Sequence, residues 1–457
     1  MNHCFSALAA LLVTNVAFAQ PANSTAPAGT VPTGNSSPTA AVAPTPPNAQ
    51  STNQPDPAGA TAPVAATAAP TGDSGPASAT YTSLPATAAP ADTATPTEQQ
   101  GPRPAPPGPL KIELPNATIK FGFLLQPQYE AVGSPALSKM THNLFLRRTR
   151  ILVGATLYKN FEFFFDSDFP NLFRAANNTA GEANTKATPG MNVQDAFGTV
   201  KAVGDSLKID MGYMLPPLAH NALQGAGTLY SWDYFSNSFR HSNVFQSSAD
   251  PIGRDAGVQL RGLVLDNIVE YRVGLFQGKR ENVSATEVSG RNMFRVAGRL
   301  QINLFDPEPG FFYAGSYLGT KRILSFGVSY DFQDHYHHSS GDGILDMPLG
   351  PGVVTAQADV SHWNGGSWVI LPRQTAFMSE AGYLINAINL SPILRFERRW
   401  VDNQTAAVPD ETRFGGGVGF WPYGHNINLK GFYTRVIPTP AAHSYNQVNV
   451  QMQFYTF

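Results

Sequence analysis

From about residue 118 to the end of the chain, apolar and polar residues alternate in short segments separated by links of unequal length. One segment sets Phe294, Val296, Leu300, Ile302 and Leu304 between Arg291, Arg295, Arg299, Gln301 and Asn303. Successive strand side chains point to opposite faces, so one face here is greasy and the other carries guanidinium and amide groups. A soluble β-structure buries its greasy face; a barrel in a membrane turns it outward around a wet lumen.

The alternation predicts sixteen strands, near 118–130, 144–157, 160–169, 192–202, 207–215, 256–264, 268–277, 291–304, 323–332, 353–362, 366–371, 374–385, 389–400, 412–421, 426–436 and 446–457. Links on one side are brief: 159, 202–206, 265–267, 364–365, 387–388 and 422–425. Those on the other are long: 131–143, 170–191, 216–255, 278–290, 333–352, 401–411 and 437–445. Short turns at one rim and long loops at the other are the pattern of a transmembrane antiparallel β-barrel. Two links break it: 305–322 is long on the short side, and 372–373 is short on the long side. An even strand number puts both ends of the chain on one side, expected to be the periplasm.

Charge placement supports the orientation. An Arg or Lys facing lipid at mid-bilayer costs about 2–4 kcal/mol, and about 0–1 near an interface. If Phe294, Val296 and Leu300 face lipid, then Arg291, Arg295 and Arg299 face the lumen. Phe145, Ile151 and Val153 out place Arg148 and Arg150 in; Leu394, Phe396 and Trp400 out place Arg395 and Arg399 in. Arg147 and Arg398 fall on the lipid face near strand ends, where a long side chain can snorkel. Tyr129, Phe145, Phe169, Tyr213, Trp363, Trp400, Trp421, Tyr433 and Tyr455 gather near strand ends, as interfacial girdles do. Phe457 and Tyr455 lie out of phase with Val448, Val450 and Met452, and a bulge near Phe454 would reconcile them. A large soluble sandwich is the competing fold, and the lumen-phase arginines argue against it.

Composition adds the rest. Residues 1–19 read as a secretory signal, with an apolar run and the small-residue site Ala17-Phe18-Ala19. Cys4, the only cysteine, would leave with it. Residues 20–108 are rich in Pro, Ala and Thr and are expected to be a disordered linker. The third unit, 109–457, is the barrel. No apolar run approaches the roughly 18–20 residues of a membrane helix. With charged residues at 14% and a net charge of −2, nothing points to nucleic acid.

The lumen phase is modestly basic, with Arg148, Arg150, Arg261, Arg291, Arg295, Arg299, Arg395 and Arg399 as candidate pore-lining, anion-binding residues. Each could equally pair with a lumen carboxylate and simply hold the wall. The longest link, 216–255, is expected to fold inward as a constriction loop, with aromatics such as Tyr230 and Trp232 packing it against the wall and Arg240 or His241 at the narrow point, so that deleting about 225–245 should raise conductance. Asp334-His335-Tyr336-His337-His338 reads as a solvated outer loop rather than a metal site. His362 falls on the lipid face without a serine motif beside it. No catalytic residue, metal or cofactor is expected.

Several stretches resemble, in order, the phosphate-selective porin O and P family: Phe145-Leu146-Arg147-Arg148-Thr149-Arg150-Ile151, Gln194-Asp195-Ala196-Phe197, Met211-Gly212-Tyr213, Gly253-Arg254-Asp255-Ala256-Gly257, Ala381-Gly382-Tyr383 and Ser391-Pro392-Ile393-Leu394-Arg395-Phe396. The resemblance implies a bacterial outer-membrane porin set in lipid, with linker and termini periplasmic. It also implies a homotrimer whose water-filled lumen passes small anions such as phosphate or carboxylates. Phosphate-selective members gather lysines at the pore mouth, whereas the outer links here hold only Lys139, Lys186 and Lys279, so the preferred solute stays open. A general non-specific porin and a surface adhesin are the other readings.

Overall fold

The structure is a computed structural model, and it describes residues 108–134, 139–175, 186, 190–235, 253–278, 293–365, 372–402, 404, 409–440 and 443–457. The expected signal and nearly all of the expected linker lie outside these, as do Arg240, His241, Arg291 and the segment 366–371.

The strands are β1 (Leu110–Leu114), β2 (Ala117–Ser134), β3 (Lys139–Leu157), β4 (Phe161–Asp168), β5 (Asn192–Val203), β6 (Leu207–Met214), β7 (Asp255–Val264), β8 (Val269–Phe276), β9 (Arg295–Asn303), β10 (Ile323–Gln333), β11 (Tyr336–Leu349), β12 (Gly352–Asn364), β13 (Gln374–Ile385), β14 (Leu390–Val401), β15 (Glu411–Tyr423), β16 (Ile427–Pro438) and β17 (Tyr445–Thr456). From β2 onward each pairs antiparallel with its neighbours in sequence. The pairing of β17 with β2, from Gln447↔Val132 to Thr456↔Phe123, closes a sixteen-stranded barrel. β1 adds a short hairpin arm against the foot of β2. The start of β2 and Phe457 share one rim, called here the terminal rim; the opposite one is the far rim.

The expected orientation holds. Val328 is 58% and Leu394 71% exposed on the outer wall, while Arg295 and Gln301 are 0% exposed inside. Closure gives every strand from β2 to β17 a hydrogen-bonded neighbour on both sides, as a wall in contact with lipid requires.

Three local expectations are corrected. Residues 333–352 are not a long loop: a tight turn at Asp334-His335 leads into β11. Its outward positions, His337, Ser339, Gly341 and Gly343, carry no greasy row, which is why alternation missed it. His337 and His338 point to opposite faces, so they cannot clasp a metal together. β12 pairs directly with β13; the strand expected at 366–371 lies outside the described residues. With β11 in the wall, the link after β12 leaves from the far rim.

The second correction concerns β3. Its register on β2 passes from Leu125↔Thr149 to Pro127↔Leu146, so β3 carries one extra residue there. Pro127 has no N–H to donate, and the ladder slips beside it. Upstream of this bulge the faces exchange: Leu144 is exposed and Phe145 is buried. Arg147 therefore does not snorkel, and both it and Arg148 reach the same carboxylate, Asp233. Arg398 does remain near the far rim, and Asp410 pairs with it at 3.7 Å.

Third, β17 runs without a bulge: Ile427↔Phe454 and Phe454↔Leu125 continue the same registers. Tyr455 and Phe457 therefore turn into the barrel. Trp363 and Trp421 are also fully buried inside instead of joining a girdle. Material filling the bore supplies the surface that they pack on.

Candidate functional site in the barrel interior

Two segments enter the bore from opposite rims. From the far rim, the link after β6 folds inward, and residues 215–235 are almost wholly buried. From the terminal rim, the long link between β9 and β10, residues 304–322, does the same. Irregular backbone inside a wall must still satisfy its N–H and C=O groups. These two segments satisfy one another. Gly225 N–H donates to Tyr313 O at 2.9 Å, Tyr313 N–H to Leu223 O at 3.0 Å, and Gly315 N–H to Thr228 O at 3.0 Å. Side chains reinforce the junction, with His220 Nε2 3.1 Å from Glu308 Oε2 and its ring stacked on Tyr313 at 4.4 Å.

The wall supplies the remaining donors. Arg272 donates to Phe311 O at 2.7 Å and Gly310 O at 3.1 Å; Lys208 and Arg261 both donate to Pro309 O. On the far-rim loop, Lys430 donates to Leu229 O at 2.7 Å and Ser231 O at 3.0 Å, and Arg395 to Asp233 O at 2.6 Å.

The seven candidate arginines among the described residues thus sit where the alternation expected, on the inner face, and they have partners. Arg148 meets Asp233 at 2.6 Å, Arg150 meets Asp166 at 2.7 Å and Asp168 at 3.0 Å, and Arg261 meets Asp210 at 2.7 Å. Arg295 meets Asp331 at 2.8 Å, Arg299 meets Asp342 at 2.5 Å, Arg395 meets Glu397 at 3.0 Å, and Arg399 donates to Pro409 O at 2.7 Å. Among the described residues the buried carboxylates outnumber the buried arginines and lysines, so the inner wall itself has no basic excess. Of the expected constriction residues, Tyr230 is buried, with its hydroxyl 2.5 Å from Ser391 Oγ and its ring over Trp421 at 6.1 Å; Trp232 packs on the same cluster.

Asp233 is the loop's anchor. Burial alone would raise its pKa, but Arg147, Arg148 and the Tyr234 N–H override that and hold the carboxyl well below the usual range. A depressed carboxyl contributes stability fully above its unfolded value and loses it as pH falls through the lower folded value. The anchor should therefore hold at neutral pH and weaken only below the ordinary 3.8. Tryptophan fluorescence titrated into acid should report the release of Trp232, and Asp233→Asn should abolish that transition.

Sequence reasoning missed Asp233, Glu308, Asp331 and Asp342 as partners, and Tyr313 as the meeting point. The available signal was the length of 305–322 at a rim where turns are brief, together with its run Phe311-Phe312-Tyr313. Among the described residues no cluster of three or more His, Cys, Asp or Glu is placed to hold a metal.

No protein-family model matches the sequence, and no curated protein matches it. Solved structures do. An anion-selective porin from Comamonas acidovorans superposes with a TM-score of 0.50 at 10% identity, over 74% of this chain and 99% of that porin. The outer membrane channel DcaP of Acinetobacter baumannii gives 0.49 at 11% identity, over 76% and 99%. OmpF of Salmonella typhi gives 0.47 at 8% identity, over 76% and 100%. At such identity the likeness to the Comamonas porin concerns architecture alone: the chain has the porin fold.

Proposed function

We propose that this protein is an outer-membrane channel for the passive diffusion of small polar solutes, with its terminal rim in the periplasm. The observation that carries the reading is the sidedness of the wall, apolar outward and ion-paired inward around interior cavities of about 430 and 300 Å³. Charged side chains lining a closed β-wall make an aqueous bore, and their arrangement sets its selectivity.

Phosphate or carboxylate preference would rest on the arginine rows. A guanidinium fork already engaged by an aspartate is not available to grip a phosphate bidentately. That pairing favours a general porin with weak charge preference over an anion-specific one. Assembly as a homotrimer is carried over from the family resemblance, and crosslinking in detergent tests it.

Purified protein in a planar bilayer should give stepwise currents, with a zero-current potential in a KCl gradient close to that of free diffusion. Absence of steps would remove the channel reading. A strongly anion-selective potential, collapsing when phosphate is added, would restore the phosphate-specific reading instead.

A further inference from the structure

Space remains beside the two inserts, along the β2–β6 side of the barrel. One cavity, of about 430 Å³, reaches the terminal rim between Lys120, Glu162 and Asp205. A second, of about 300 Å³, lies farther in, beside Arg150, Asp166 and Tyr234. Phe164, Phe312 and Phe457 border both.

β4 gives their order. Its inward residues are Glu162, Phe164 and Asp166, spaced by about 6.6 Å at about 3.3 Å per residue. Phe164 therefore stands between a carboxylate in one cavity and a carboxylate in the other. The three rings come from separate places: a wall strand, the terminal-rim insert and the last residue. Phe312 meets Phe164 edge-on at 5.4 Å between centroids, and Phe457 meets it edge-on at 5.6 Å. Those are contact distances for aromatic rings, so no file of water passes between Phe164 and either of the other two. The ring of Phe457 is seated against backbone without a side chain, since a Cβ on Gly154 would stand 2.8 Å from its Cζ.

We propose that the solute route runs from one cavity to the other, with Phe164, Phe312 and Phe457 as its narrowest point and Phe312 as the member that moves aside. The inference rests on the channel reading above and names its specificity-determining residues. Phe312 belongs to the 304–322 insert, which is held by loop contacts and by guanidinium bonds to its carbonyls; Phe164 is fixed in the wall ladder. An apolar constriction gates by excluding water. It costs a charged solute its hydration there, and a neutral one much less. Small uncharged polar or ring-bearing molecules should therefore cross faster than ions of the same size.

The test is Phe312→Cys in the full chain, whose only other cysteine is Cys4. A charged methanethiosulfonate reagent should react with the introduced thiol and lower single-channel conductance at least twofold. Phe326→Cys on the outer wall serves as the control and should leave the current unchanged. Phe312→Ala, with Phe164→Ala as the second variant, should raise conductance twofold or more. Modification confirmed by mass with no change in current, or alanine variants that conduct like wild type, would overturn the constriction while leaving the channel reading standing. Silence from wild type would overturn the channel reading itself.

Discussion

Replacing residues 307–320 with a two-residue turn should raise single-channel conductance several-fold and leave the wall intact. The two strands that the insert joins are already together where it begins: Leu304 N–H donates to Leu324 O at 2.8 Å and Asp306 N–H to Arg322 O at 2.9 Å. A short turn therefore closes the hairpin without disturbing the ladder, which continues through Ser325↔Asn303. Removal takes out Phe311, Phe312 and Tyr313, and with them the acceptors of Arg272, Arg261 and Lys208. Those cations keep Glu270, Asp210 and Asp205 as partners and regain water. The far-rim loop keeps its own anchors at Asp233 and Lys430. Deleting part of that loop instead should also widen the bore, as the sequence alone suggests, since the two inserts fill one cross-section. Unchanged conductance after removal of 307–320 would mean that the insert does not stand in the route.

Arg299→Glu should destabilise the barrel strongly and leave little folded protein in which to measure selectivity. Read from the alternation alone, this substitution is a selectivity change toward cations. In the structure the Arg299 guanidinium donates to Asp342 at 2.5 and 2.8 Å, to Gln301 at 2.6 Å, to Leu218 O at 3.2 Å and to the Tyr313 hydroxyl at 3.3 Å. One side chain thus ties β9 to β11, to the far-rim loop and to the terminal-rim insert. Removing one partner of a buried pair costs about 3–5 kcal/mol, because the other charge is left uncompensated; placing a carboxylate there adds repulsion. Heat-modifiability on gels should show unfolding at a markedly lower temperature, and Arg299→Glu combined with Asp342→Arg should recover part of the loss. A variant as stable as wild type with a cation-shifted reversal potential would show that this guanidinium faces solute and not its neighbours.

Much of the fold was legible because strand alternation is a local property. The phase of Phe294, Val296 and Leu300 against Arg295 and Arg299 gave the orientation of β9 from its own residues. Leu394, Phe396 and Trp400 against Arg395 and Arg399 did the same for β14. Where the outward face is not greasy the signal fails, as in β11, whose Ser339, Gly341 and Gly343 hid a whole strand. Where an extra residue enters, as beside Pro127, alternation runs on in the wrong phase and misplaces Phe145 and Arg147.

What the sequence by itself determined is the wall: a closed barrel of antiparallel strands, greasy side outward, with its arginines inward. Tertiary structure alone decided what those arginines do. Three of their partners, Asp233, Asp331 and Asp342, lie between 36 and 85 residues away along the chain, and the two inserts meet only because opposite rims of the closed barrel aim them at one another. Face and phase are set by neighbours in sequence. Charge compensation and the filling of a bore are set by distances through space, which no local pattern encodes.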